Sequence, residues 1–156
     1  MSIEKVRAFM QQRGYADRIQ EFTVSSATVE LAAAALGCEG CRIAKTLSFS
    51  IGERTILVVA AGDARIDNPK YKAYFSSKAK MLAYEEAPVR VGHAVGGVCP
   101  FAVNEGVEVY LDESLRRFET VFPACGSSNS AIELTLAELE ELTAPSVWVD
   151  VCKLPE

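Results

Sequence analysis

Ala44-Lys45-Thr46-Leu47-Ser48-Phe49-Ser50-Ile51, Gly52-Glu53-Arg54 and Thr55-Ile56-Leu57-Val58-Val59-Ala60 form the stretch that orders the rest of the chain. Both outer runs are rich in β-branched and apolar residues, and the three residues between them carry turn chemistry, so a hairpin is predicted. Alternation in the first run sets Lys45 on one side with Ile43, Leu47 and Phe49. An ammonium on a buried face is costly to desolvate unless a pocket or partner accepts it. Lys45 is therefore either a pocket residue or an edge-strand lysine that discourages aggregation.

Working outward, Ile3, Val6, Phe9 and Met10 recur at helical spacing before Gly14, predicting a first helix. Residues 21–24 read as a short strand. Thr28 is placed to cap an Ala-rich helix, Val29–Leu36, closed by Gly37. Asn68 and Pro69 read as a cap and a first helical residue opening the basic, aromatic segment 70–75. Residues 89–103 hold Gly92, Gly96, Gly97 and Pro100 among small apolar residues, predicting a tight loop between strand fragments. Strands are expected at 107–111 and 119–122, with a helical turn around 112–117. Thr135-Leu136-Ala137-Glu138 is a capping-box sequence before a helix that Pro145 ends, followed by a last strand over 147–151.

Helices and strands are interspersed, strands outnumber helices, and no glycine-rich phosphate-binding motif follows a strand. The expectation is an α+β fold in a single domain over 1–156, built on a curved mixed sheet. The 156 residues suffice for one substantial core. Hydrophobic residues at 49% and charged residues at 24% are ordinary globular composition. No apolar run is long enough for a bilayer span and the start of the chain lacks a signal-peptide pattern, so the expected location is cytoplasmic, with no membrane partner. Five cysteines, an odd number without an export signal, fit reduced thiols. A net charge of −5 argues against non-specific coating of nucleic acid, DNA included, while leaving room for a local patch that touches one RNA end.

Several segments carry candidate chemistry. His93, the one histidine, has no Ser or Cys elbow motif beside it, and a triad needs a nucleophile and an orienting acid. Cys38-Glu39-Gly40-Cys41 has the spacing of a redox pair or half a zinc site, but Cys99, Cys125 and Cys152 are scattered singly. No metal or other cofactor is therefore expected. Gly96-Gly97-Val98-Cys99-Pro100-Phe101 permits close backbone approach or simply forms a bulge or turn. Cys125-Gly126-Ser127-Ser128-Asn129-Ser130 lines a polar pocket or forms a turn.

Taken together and in this order, these segments resemble the YbaK/ProX family of aminoacyl-tRNA editing domains. The similarity rests on the helix ending Leu36-Gly37, the Lys45-Thr46-Leu47 strand, the Gly96-to-Pro100 loop, and Phe118-Glu119-Thr120-Val121 leading into Gly126-Ser127-Ser128-Asn129. The resemblance implies a compact mixed sheet flanked by helices, with a small pocket for an aminoacyl group. It also implies metal-independent hydrolysis of the ester joining a wrong amino acid to the terminal adenosine of tRNA, often a tRNA for proline. By that resemblance, Lys45 and Gly96 are the catalytic residues, while Thr28, Thr46, Gly97, Pro100, Ser128 and Asn129 shape substrate binding. The implied partners are the aminoacyl-tRNA acceptor end and, for some members, a synthetase. Some relatives carry a histidine or a basic pair near Asn129, so the amino acid preferred here is expected to differ. For RNA contact the sequence offers Arg42, Lys70, Lys72, Lys78 and Lys80, with Tyr71 and Tyr74 interleaved. A binding module of the same fold without hydrolysis, and a thiol or zinc protein centred on Cys38 and Cys41, are the competing functions.

Overall fold

The computed structural model describes residues 2–155. Helix α1 (Ser2–Arg13) buries Val6 and Met10, one turn apart, and stops at Gly14. A 3-10 turn leads to β1 (Gln20–Glu21), earlier and shorter than the strand expected over 21–24. The difference is tertiary: β1 pairs with Ser130–Ala131, and Val24 lies beyond it in solvent. Thr28 accepts from the Leu31 amide to cap α2 (Val29–Leu36), which ends at Gly37 as expected.

The predicted hairpin is β2 (Ile43–Ile51) and β3 (Arg54–Ala61), antiparallel from Ala44–Ala61 to Ile51–Arg54. Strand β3 is buried from Thr55 to Ala61, so both its faces are covered and its apolar run does not alternate. Each fully buried Val, Leu or Ile there contributes roughly 1.5–3 kcal/mol of transfer free energy. A short β4 (Arg65–Ile66) precedes α3 (Asn68–Phe75). Its cap is Asp67, whose Oδ1 accepts from the Lys70 amide; Asn68, expected as the cap, is the first helical residue. Tyr71 and Phe75, four apart, are its buried stripe.

Residues 89–103 contain no strand. Instead a short helix α4 (Ala87–Arg90) runs into a series of bends that fold Cys99 and Phe101 into the core. Then come β5 (Glu108–Asp112), a 3-10 turn at Glu113–Arg117, β6 (Thr120–Pro123), β7 (Ser130–Ala131) and β8 (Leu134–Thr135). Helix α5 (Leu136–Thr143), β9 (Ser146–Val149) and β10 (Cys152–Lys153) complete the chain. Six strands form one mixed sheet in the order β8-β6-β2-β3-β5-β9. Its centre is antiparallel (β2 with β3), and β6, β5 and β9 join in parallel. The architecture is a single compact α+β domain.

The capping box at α5 is complete: Thr135 Oγ1 accepts from the Glu138 amide and Glu138 Oε1 accepts from the Thr135 amide. Arg18 also grips Glu138, at 2.7 and 3.1 Å, tying the N-terminal region to this helix. Those Arg18 bonds, then the Thr135 amide, hold the Glu138 carboxyl at about 2. Its stabilisation is thus full above the unfolded glutamate value of ~4.3 and lost as pH falls from there toward about 2. Arg18 is partly exposed, so water screens the pair. Glu138→Ala is expected to cost about 1 kcal/mol at neutral pH, mostly through the cap. Urea melts of both proteins should converge as pH is lowered through that window; a constant difference down to about pH 2 would refute this assignment.

Candidate active site

A cleft of about 540 Å³ opens where β2 loses its neighbour. β6 pairs with β2 only at Ile43–Phe122 and Ala44–Pro123. Farther along, residues 80–82 take over the same edge, the Ser50 amide donating to the Lys80 carbonyl (2.9 Å) and the Leu82 amide to the Ser48 carbonyl (3.1 Å). Backbone groups of alternate strand residues point to one side. Since Ala44, Ser48 and Ser50 use this edge, Thr46 turns its amide and carbonyl toward it as well, between the two paired stretches. Among the described residues nothing pairs with Thr46 across that gap. Its buried Oγ1 lacks a partner too, as does the buried Ser26 Oγ, and both residues line the cleft. Buried polar groups normally have partners, so unpaired ones lining a cleft are suited to a polar ligand.

Lys45 lines the same cleft, half-buried, and reaches past β3 to the turn that follows it. Its ammonium donates to the carbonyls of Gly62 (3.2 Å) and Ala64. An ammonium has three donors, so one remains for a ligand. Burial lowers the Lys45 pKa, with nearby Cys152, Asp63 and Glu30 pulling it the other way. The turn is itself braced, Arg117 holding Asp63 through both carboxylate oxygens at 3.0 and 2.6 Å.

Across the cleft, Gly96 has φ +97°, which a residue with a Cβ adopts only under strain, and a Cβ there would sit 3.7 Å from the Cβ atoms of Ala27 and Ser128. Thr28, Lys45, Thr46 and Gly96 are therefore brought together, with exposed Ser128 beside them. Three expected substrate-binding residues are placed otherwise. Gly97 is buried against the Gly126–Ser127 backbone. Asn129 sends its Nδ2 to the Phe22 carbonyl (2.9 Å) and its own carbonyl accepts from the Phe22 amide (2.8 Å). Pro100 lines a separate hollow with Phe9, Leu142 and Pro145. None of these three lines the cleft.

The cleft joins a strand lysine, an open backbone edge and a glycine loop, and the comparisons with known proteins bear on that combination. The family profile for the aminoacyl-tRNA editing domain matches residues 23–142. The chain belongs to that family. This editing domain is 54% identical to the uncharacterized protein YwhH of Bacillus subtilis, over 98% of both chains. It is 28% identical to a proline–tRNA ligase of Bacillus cytotoxicus over 68% of its own length, spanning only 19% of that enzyme. Among solved structures it is similar to a proposed trans-editing enzyme for prolyl tRNA synthetase, with a TM-score of 0.86 at 29% identity over 97% of each chain.

In this editing domain His93 is a core residue. Its Nε2 lies 2.7 Å from the Phe101 carbonyl, a bond in which the ring donates, and 3.5 Å from Cys99 Sγ. Burial lowers the His93 pKa and pushes the Cys99 thiol up to about 12, so the pair is not poised as nucleophile and base. Among the described residues no three His, Cys, Asp or Glu side chains are grouped to hold a metal. Cys38 packs against the cluster of Ala32, Ile43 and Phe122, and burial raises both the Cys38 and the Cys41 pKa. Replacing both with serine is expected to leave any deacylation within about twofold of wild type, with no stoichiometric zinc in either protein. Elemental analysis with activity assays checks this; about one zinc per chain, lost with activity in the double variant, would contradict it.

The expected RNA-contact set is corrected. Tyr71 is fully buried and cannot stack on a base. Lys70 is engaged by Asp150 (3.0 Å) and the Cys152 carbonyl (3.0 Å), and Arg42 by Thr120 and Glu133. Lys72, Lys78 and Lys80 are exposed, and Tyr74 is half-exposed against Phe75 and Tyr110. No helix among the described residues is long and apolar enough to cross a membrane.

Proposed function

We propose that this chain, as one editing domain over residues 1–156, hydrolyses the ester of mischarged aminoacyl-tRNA in trans, in the cytoplasm, guarding translation fidelity without a metal. The observation that carries this reading is the Lys45 ammonium, fixed by two carbonyls of the turn after β3 with one donor to spare, in the cleft that Thr46 and Gly96 also line.

An aminoacyl ester is already activated, so placing a water and stabilising the developing oxyanion suffices. A covalent route is disfavoured by the site itself. Ser26, Thr28, Thr46, Ser48 and Ser130 line the cleft, but the one histidine is buried elsewhere against Phe101, so no hydroxyl has an imidazole base. Lys45 supplies positive charge and a donor, and the Gly96 backbone approaches closely because no Cβ intervenes. Thr28, Thr46 and Ser128 present hydroxyls near the aminoacyl group. Proton transfer falls to the ribose hydroxyl adjacent to the ester, which family resemblance supports. A synthetase partner is a further expectation, supported by the likeness to part of a proline–tRNA ligase.

The test is a panel of tRNAs, including those for proline, each charged with a wrong amino acid and incubated with the purified protein. Loss of the ester from at least one, insensitive to chelators, is expected. Tight binding without hydrolysis of any member would favour the binding-module reading.

A further inference from the structure

Three large apolar side chains stand in solvent at the mouth of the cleft: Tyr84 is 71% exposed, Met81 58% and Val95 50%, and all three line it. The backbone beneath Tyr84 is well tied. The Glu86 amide donates to the Ala83 carbonyl (3.0 Å), the Ala83 amide donates to Glu86 Oε1 (2.9 Å), and residues 80–82 are bonded to β2. A ring held out to water on a braced turn does nothing for the core. An exposed ring on a braced backbone is suited to stacking, the device by which proteins hold bases of single-stranded nucleic acid. Lys78 and Lys80 are exposed on the approach to this turn, and among the described residues neither forms an ion pair. In a chain of net charge −5, two exposed cations outside any ion pair, Lys80 with only a longer-range pull on Glu86, mark where a polyanion is welcome beside an apolar mouth.

We infer that Tyr84 stacks on the terminal adenine of the RNA strand whose aminoacyl group enters the cleft, with Lys78 and Lys80 following the phosphates upstream. This rests on the proposed function, because the ester sets the ribose at the cleft and the base must then lie outside it. Met81 and Val95 flank the base with apolar surface. The contact is insensitive to sequence, since every base offers a stacking face, so selectivity among tRNAs resides elsewhere.

The experiment separates this subsite from hydrolysis. The trinucleotide CpCpA, carrying no amino acid, is titrated into wild type, Tyr84→Ala, Tyr84→Phe and the Lys78→Ala/Lys80→Ala double variant, followed by NMR shifts at several salt concentrations. Tyr84→Ala should raise the Kd roughly tenfold or more while Tyr84→Phe stays near wild type, the pattern of a lost stack rather than a lost hydroxyl. The double lysine variant should shallow the log–log salt slope by about 1.4, two phosphate contacts on a single strand. Melting temperatures should be unchanged, as all three side chains are exposed. CpCpA binding that is absent in wild type, or equal in wild type and Tyr84→Ala, would overturn the inference and leave the hydrolase reading intact. Tyr84-dependent binding in a protein that deacylates no charged tRNA would uphold the platform and overturn hydrolysis.

Discussion

Lys45→Ala is expected to slow deacylation of a true substrate by at least about a hundredfold, the loss that follows removal of one preorganised electrostatic group. The charge and the free donor disappear together. The fold should survive, because the side chain ends at the cleft, where water can satisfy the Gly62 and Ala64 carbonyls once the ammonium has gone. The melting temperature of the variant should therefore stay within a few degrees of wild type. Lys45→Arg is the sharper comparison. It restores charge, but a planar fork cannot place single donors on two carbonyls of one turn and still project a third into the cleft as a tetrahedral ammonium does. It should remain at least roughly tenfold impaired. Single-turnover rates on a mischarged tRNA, with thermal melts as the control, decide the matter. A normally melting Lys45→Ala protein that deacylates at near wild-type rate would remove Lys45 from the mechanism and leave the binding module as the better reading.

What the sequence disclosed of this arrangement follows the range of the forces involved. The β2–β3 hairpin and α2 with its Thr28 cap rest on patterns within ten to twenty residues, and both are found where expected. The loop over 89–103 was legible as irregular, but its strand fragments do not exist: Cys99 and Phe101 are drawn inward by α1 and the sheet, a contact no local pattern encodes. Composition groups Tyr71 with nearby lysines, although its spacing from Phe75 already marks a helix stripe facing the core. Tyr84, outside any regular element, had no period to betray its place at the cleft mouth. The carbonyls that hold Lys45 were invisible for a deeper reason. Every residue has a carbonyl, and only tertiary structure decides which of them converge on a charge.

That dependence makes Gly62 the strongest test of the link between packing and chemistry. Gly62 and Gly40 meet where the loop after α2 lies on the turn after β3. A Cβ at Gly62 would be driven into the Gly40 carbonyl oxygen and would stand 2.8 Å from Val29 Cγ1 and 3.1 Å from the Gly40 carbon. Two of those three atoms are backbone and cannot turn aside. Gly62→Ala is therefore expected to cost about 3 kcal/mol or more, the upper part of the range for overpacking, and to lower the melting temperature by roughly 10 °C for a domain of this size. Gly40→Ala is the control from the same contact: its Cβ would meet only Val29 Cγ1, at 3.4 Å, so its effect should stay below about 1 kcal/mol. Activity adds the decisive comparison. The Gly62 carbonyl is one of the two that aim Lys45, and a turn forced away from Gly40 carries that carbonyl with it. Assayed at a temperature where both variants are fully folded, Gly62→Ala should lose deacylation at least tenfold while Gly40→Ala keeps it. A Gly62→Ala protein that is destabilised yet fully active when folded would show that the turn supports the fold without aiming the lysine.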